Sequence, residues 1–344
     1  MDNIAHALFG AGLFGLWAAA NGGDVHTPLG AACGVAAIVG AEAPDVDVLI
    51  LAVFGSTAYL KHHRQISHAI PMWFIYALLI SGVLSIWVPN HFGLFFLLSL
   101  AGVLLHILLD VLNMYGTLAL WPIVRRKLAW DIVPEVDIVY LVLFFLAVLA
   151  IQFHLPYATV VFSAWALAVL YTLLRMAARR HHLAVLRHEV SPAASLSLIP
   201  QLIPWSWGYV KEDTASFEMG HLKSNRMRPE LRVEKPLPTP ALLWTLRESA
   251  VAHEFMIKSR HFVWYEQRMG DSYQILVADG LIRFGTTLPF SASISVKPTT
   301  EGEFELLDES IRGQPIDLAA LVADLSNESS AVSPNVYIPE PRHQ

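Results

Sequence analysis

The chain has 344 residues, 55% of them hydrophobic and 15% charged, with a mean hydropathy of +0.48, which is too apolar for an ordinary water-soluble domain. A formal charge of -6 gives no basic footprint for nucleic acid. The single cysteine, Cys33, excludes an intramolecular disulfide and any cysteine-based zinc knuckle, so a metal would need His and carboxylate ligands.

Nearly all of the apolarity lies before about residue 177, and the remainder reads as water-soluble. A helix needs about 20 apolar residues to cross a bilayer. Six segments approach that length: roughly 4–20, 29–44, 69–88, 92–113, 137–153 and 155–177. The second is short and is followed by an apolar stretch, 48–60, that reads as interfacial or re-entrant. Asp2 stands where a signal peptide would carry positive charge, so the N-terminus is expected to be retained. If the first helix runs outward, the connections near 21–28, 89–91 and 153–155 lie outside and hold no Lys or Arg. The inner segments then hold Lys61, Arg64, Arg125, Arg126, Lys127, Arg175, Arg179, Arg180 and Arg187. This asymmetry predicts a multi-pass membrane protein with both termini cytoplasmic.

Residues 1–180 are therefore expected to form an all-α polytopic membrane domain of about six helices. Residues 181–240, rich in Pro, Ser and charge, read as a linker. Residues 241–325 read as a small α+β cytoplasmic domain. In it, 241–258 has helical spacing, two strands flank Gly270–Asp271, a turn falls at Asp279–Gly280, and 291–307 supplies a further strand or two. The tail 326–344 is expected to be disordered.

Against this background certain polar residues are expensive. An ionisable group at bilayer depth costs several kcal/mol unless it is paired, hydrated or bound to a metal. His106 and Asp110 stand four apart in an apolar helix, hence on one face and able to grip one ion; the plainer reading is a buried His–Asp hydrogen bond. Asp45 and Asp47 follow Pro44, which ends the second helix, and two carboxylates on a bend can chelate or bridge metals or simply be solvated. His62, His63 and His68 lead into the third span with Arg64, a natural partner for an anionic oxygen. Asp2 and His6 are again four apart at the start of the first span, where Asp2 could equally be a helix cap. Asp131, Glu135 and Asp137 precede the fifth span, where acidic residues suit a helix start. His181, His182, His188, His221, His253 and His261 have no such context and read as surface or domain residues. The placement of His6, Asp45, Asp47, His63, His68 and Asp110 near the same ends of their helices points to one shared site at the cytoplasmic boundary.

The stretches MDNIAHALFG, PDVD, HRQISHAIP, HILLDVLNMYGT and WDIVPEVD resemble the YdjM-like family of inner-membrane proteins, regarded as metal-dependent hydrolases. The resemblance covers roughly residues 1–145. Gln65 and Ser67 stand where family members tend to have Gly and Thr, and Ile138 where many have Pro, while His63, Arg64, His68 and Asp137 are intact. That family is in turn thought to be distantly similar to zinc-dependent phospholipase C and the P1-type nucleases, which use a His-x-x-x-Asp helix motif and clustered zinc ions. The resemblance implies a metal set drawn from Asp2, His6, Asp45, His63, His68, His106 and Asp110, with Arg64, Asp47 and Asp131 in catalytic roles. It implies two or three divalent ions, with zinc expected, and hydrolysis of a phosphoester in a lipid or lipid-linked amphiphile. Competing readings are a metal-ion or proton transporter, and a non-catalytic membrane scaffold with a structural metal.

Overall fold

The computed structural model describes residues 2–22, 26–47, 66–213, 216–234, 238–281, 283, 287–288, 291–300, 303–312 and 316–317. The chain divides into two units, one of Met1–His181 with Pro200–Ser206 and one of His182–Ile199 with Trp207–Gln344.

Among the described residues six apolar helices lie wholly or mainly in the first unit: α1 Asn3–Asn21, α2 Pro28–Glu42, α3 Ile70–Trp87, α4 Phe92–Leu112, α5 Ile138–Gln152 and α6 Tyr157–Leu186. Five are long and apolar enough to cross a membrane, counting α2 through its continuation to Val46; α5 is shorter. Their starts follow local rules. Asp2 caps α1 by accepting from the Ala5 N–H, Thr27 caps α2 ahead of Pro28, and Asp137 caps α5 by accepting from the Val139 and Tyr140 N–H groups. A 3-10 turn, Ala43–Asp47, carries Pro44 directly after α2, and a second such turn, Ile66–His68, precedes α3. The stretch 48–60, expected to be interfacial or re-entrant, lies outside the described residues.

Between lipid-facing helices there is little hydrophobic drive, so small residues that permit close approach decide the packing. The buried face of α2 consists of Gly30, Ala32, Cys33, Ala36, Ala37, Gly40 and Ala41. This face meets α4 at Gly102, where a Cβ would stand 2.6 Å from the Ala37 carbonyl oxygen and 2.8 Å from the Ala41 nitrogen. Beyond α4 the chain folds back, and the Trp130 and Ile132 N–H groups donate to the carbonyls of Val111 and Leu112. Carbonyls that the helix end would leave orphaned are thereby satisfied. The outer faces remain apolar, with Leu79, Val83, Ile86, Leu97, Phe145 and Leu173 all exposed.

The second unit is α+β. Strands β1 Ser195–Pro200, β2 Trp207–Glu212, β3 Ser216–Lys223 and β4 Arg226–Glu234 form one sheet in sequence order. Helices α7 Pro240–Glu248 and α8 Ala250–Lys258 follow, then β5 Phe262–Met269, β6 Ser272–Asp279, β7 Thr287–Leu288, β8 Ser291–Pro298, β9 Phe304–Arg312 and β10 Ile316–Asp317. The second four-stranded sheet has the order β5-β6-β8-β9, and β7 pairs with β10. The helical segment expected at 241–258 is thus two helices. Ser249 separates them and caps the second by accepting from the Ala252 N–H.

The expected linker at 181–240 needs correction, because 195–234 contains the whole first sheet. Its strands were hidden for physical reasons. β4 is an edge strand, so it tolerates Pro229 opposite a bulge at Met219/Gly220 and carries charge along its length. The β3–β4 turn uses Ser224 and Asn225, both at positive φ, in place of the glycine that signals most hairpins. The early part of the same range, to Leu186, continues α6. The tail 326–344 lies outside the described residues.

Candidate metal centre

Four side chains from three places in the chain converge in the first unit. Asp45 comes from the 3-10 turn after α2, His68 from the turn before α3, and His106 with Asp110 from successive turns of α4. All four are buried, and one ligand atom from each lies within 4.8 Å of every other. Among the described residues this is the one group of three or more His, Cys, Asp or Glu that could hold a metal ion.

The imidazoles are oriented by groups outside the cluster. His106 Nδ1 lies 2.6 Å from the Ala41 carbonyl oxygen. A carbonyl only accepts, so Nδ1 carries the proton and a neutral ring turns a lone pair on Nε2 inward. His68 Nδ1 is 2.8 Å from Ser67 Oγ, and its Nε2 also faces the cluster. The two Nε2 atoms are 3.3 Å apart. His68 Nε2 is 3.5 Å from Asp45 Oδ1 and 3.2 Å from Asp110 Oδ2. His106 Nε2 is 3.6 Å from each of the same two oxygens. Burial works against a charge on His68, but the carboxylates of Asp110 and Asp45 outweigh it and hold its pKa above the ordinary imidazole value.

These distances test whether the residues fit a cation. Tetrahedral coordination with metal–ligand bonds of about 2.0–2.1 Å separates neighbouring donors by about 3.3 Å. Five of the six donor–donor separations here run from 3.2 to 3.6 Å. In addition, Asp45 Oδ1 is buried with no hydrogen-bond partner. The donor set, two imidazoles and two carboxylates, suits a borderline divalent ion such as zinc.

The other expected site residues fall in different places. His6 is fully buried, its ring stacked on His106 at 3.7 Å between centroids, with Nε2 3.5 Å from Asp110 Oδ1. Neither of its ring nitrogens has a hydrogen-bond partner. Asp2 is a helix cap outside the four-residue group, although its second oxygen is buried without a hydrogen bond. Asp131 is also outside it: its carboxylate pairs with Arg179 of α6 at 3.1 Å. Asp137 receives the Tyr171 hydroxyl at 2.9 Å in addition to its capping bonds. His62, His63 and Arg64 lie outside the described residues, as does the side chain of Asp47. One acidic residue was missed. Glu42 ends α2, interacts electrostatically with Asp45 and Asp2, and has a buried Oε1 without a hydrogen-bond partner. The signal available was its position one turn before Asp45 in the stretch AEAPD.

Comparison with known proteins adds a family. The model of the YdjM inner membrane protein family matches residues 1–182, more than half of the chain. A Bacillus subtilis (strain 168) protein, named Uncharacterized protein YfhP, is 22% identical over 302 residues, which cover 86% of this chain and 91% of that protein. No solved structure matches.

Proposed function

Since the chain belongs to the YdjM inner membrane protein family, we propose that it is a membrane-embedded hydrolase whose reaction centre is a divalent cation held by Asp45, His68, His106 and Asp110. The observation that carries the metal is the set of donor separations, five of which match a tetrahedral shell; a reacting water would have to bind as a further ligand beside these four donors. A buried cluster of this kind would otherwise bring two carboxylates together in an apolar unit, at considerable desolvation cost.

A divalent ion bound there supplies a Lewis acid and lowers the pKa of a bound water toward neutrality. The protein's part is orientation. Ala41 and Ser67 fix the two imidazoles, and the α4 backbone sets His106 and Asp110 one turn apart. Asp110 turns Oδ2 toward His68 and His106 and Oδ1 toward His6. His6 and Asp110 would hold a second ion if one binds, and Glu42, which interacts with Asp45 and Asp2, would add a further carboxyl group. The substrate class that fits is a phosphoester of an amphiphile, because the site lies between helices whose outer faces are apolar. Arg64 is assigned the anionic oxygens of that substrate, and zinc is the metal the donors favour.

The test is elemental analysis and phosphodiesterase turnover of the purified protein in detergent, compared with Asp110→Ala. The expected result is about one or two zinc ions per chain and metal-dependent turnover, with both lost in the variant. Equal metal content in the two proteins defeats the site. A zinc-loaded protein inactive on phosphoesters, yet moving zinc across vesicles, replaces the hydrolase with a transporter.

A further inference from the structure

In the C-terminal unit three side chains make a hydrogen-bonded chain that the metal centre does not use. His261, just ahead of β5, is 3% exposed. Its Nε2 lies 2.8 Å from Ser197 Oγ on β1, and its Nδ1 lies 3.0 Å from Glu212 Oε2 at the end of β2. Separations of 64 and 49 positions hide this arrangement from any local reading of the chain. An ionised carboxylate only accepts, so Glu212 draws the imidazole proton to Nδ1 and leaves the Nε2 lone pair for the Ser197 hydroxyl.

The imidazole is also held in place. The His261 carbonyl accepts from the Gly280 N–H at 2.7 Å, and the Phe217 ring meets the imidazole edge-on at 6.3 Å between centroids. Gly280 permits this closeness, since a Cβ there would stand 2.7 Å from the Phe217 ring. Ser197 and Glu212 are both partly exposed, while His261 between them is buried. The hydroxyl is thus accessible from outside the fold. Nucleophile, base and orienting acid stand in the order, and at the spacing, that hydroxyl activation requires.

We propose that Ser197, His261 and Glu212 form a second reaction centre, a serine nucleophile acting on carboxylic esters independently of the metal. Ser197 Oγ bonds to the acyl carbon as its proton passes to His261 Nε2. The ester C–O bond breaks, and the departing alcohol oxygen takes that proton. Water then adds to the acyl-serine carbonyl, giving its proton to Nε2. The carboxylic acid leaves as that proton returns to Ser197 Oγ. Glu212 stays ionised throughout and stabilises the imidazolium.

The test uses the full-length protein in detergent with an alkyl fluorophosphonate as probe and p-nitrophenyl butyrate as substrate. One adduct per chain is expected, mapped by peptide mass spectrometry to Ser197. Its rate should fall about 100-fold or more in His261→Gln and at least about tenfold in Glu212→Gln. Ester turnover should follow the adduct, be lost in Ser197→Ala, and be indifferent to chelators and to Ser195→Ala. No adduct on Ser197 in a protein whose C-terminal unit resists protease overturns the proposal. An adduct forming equally fast in His261→Gln does the same. A purely structural relay would lower the melting temperature of these variants and give no adduct in the parent protein, which also overturns it.

Discussion

At the scale of single residues, the proposed metal centre depends on how a few protons are distributed. His68 must lose its proton from Nε2 to ligate, and the carboxylates of Asp110 and Asp45 raise its pKa. The sign follows directly: the protonated form persists to a higher pH than in free imidazole, so protons compete with the metal up to a higher pH than they would at an ordinary histidine. Apparent metal affinity is expected to fall about tenfold per pH unit below that pKa for this one proton and to level off above it. A metal-buffered titration between about pH 8 and 6 measures this. Ser67 touches no metal in this scheme, yet it holds His68 Nδ1 at 2.8 Å. Ser67→Ala is expected to weaken metal affinity about tenfold while the protein keeps its helicity.

Single elements explain why the donors meet. His106 and Asp110 share a face because they are four apart on α4, a relation that the sequence states outright. Asp45 arrives by a different route, since α2 must lie close enough to α4 for the Ala41 carbonyl to reach His106. Gly102 permits that approach. Gly102→Leu is expected to force the helices apart, at a cost of about 1–3 kcal/mol, and to abolish metal binding without preventing insertion. Gly93→Ala, on the same helix with nothing within 4 Å of the added carbon, should leave the metal content unchanged. Elemental analysis of both variants decides. The sequence identified α4 and its two donors through the cost of charge in an apolar helix, but it contains no measure of interhelical distance. The pairing of Asp131 with Arg179 likewise depends on what lies opposite Asp131, which spacing alone leaves open.

For the whole molecule, the expected topology rests on the positions of Lys and Arg relative to the helices, all six of which are present in the structure. Cys33 is buried, giving a clean background for labelling. Pro89→Cys and Leu155→Cys, in short connections, are expected to react with an impermeant maleimide added to intact cells. Arg125→Cys should react only after the membrane is opened. The reverse pattern would turn the molecule over and move the metal centre to the other face. The relative from Bacillus subtilis aligns over 86% of this chain, so its similarity takes in both units.

The sequence by itself determined the membrane class, five of the six helices almost to their ends, the α+β character of the C-terminal unit and the candidate donors that the structure groups together. These follow from local quantities: segment length, hydropathy, caps and the cost of ionisable groups among apolar neighbours. Tertiary structure decided which candidate donors lie together, that a four-stranded sheet fills the stretch expected as linker, and that His261 lies between Ser197 and Glu212. Each of those is a distance between parts remote in the chain, set by which small residues let backbones approach and which strand falls at an edge. Composition and periodicity carry no such distances.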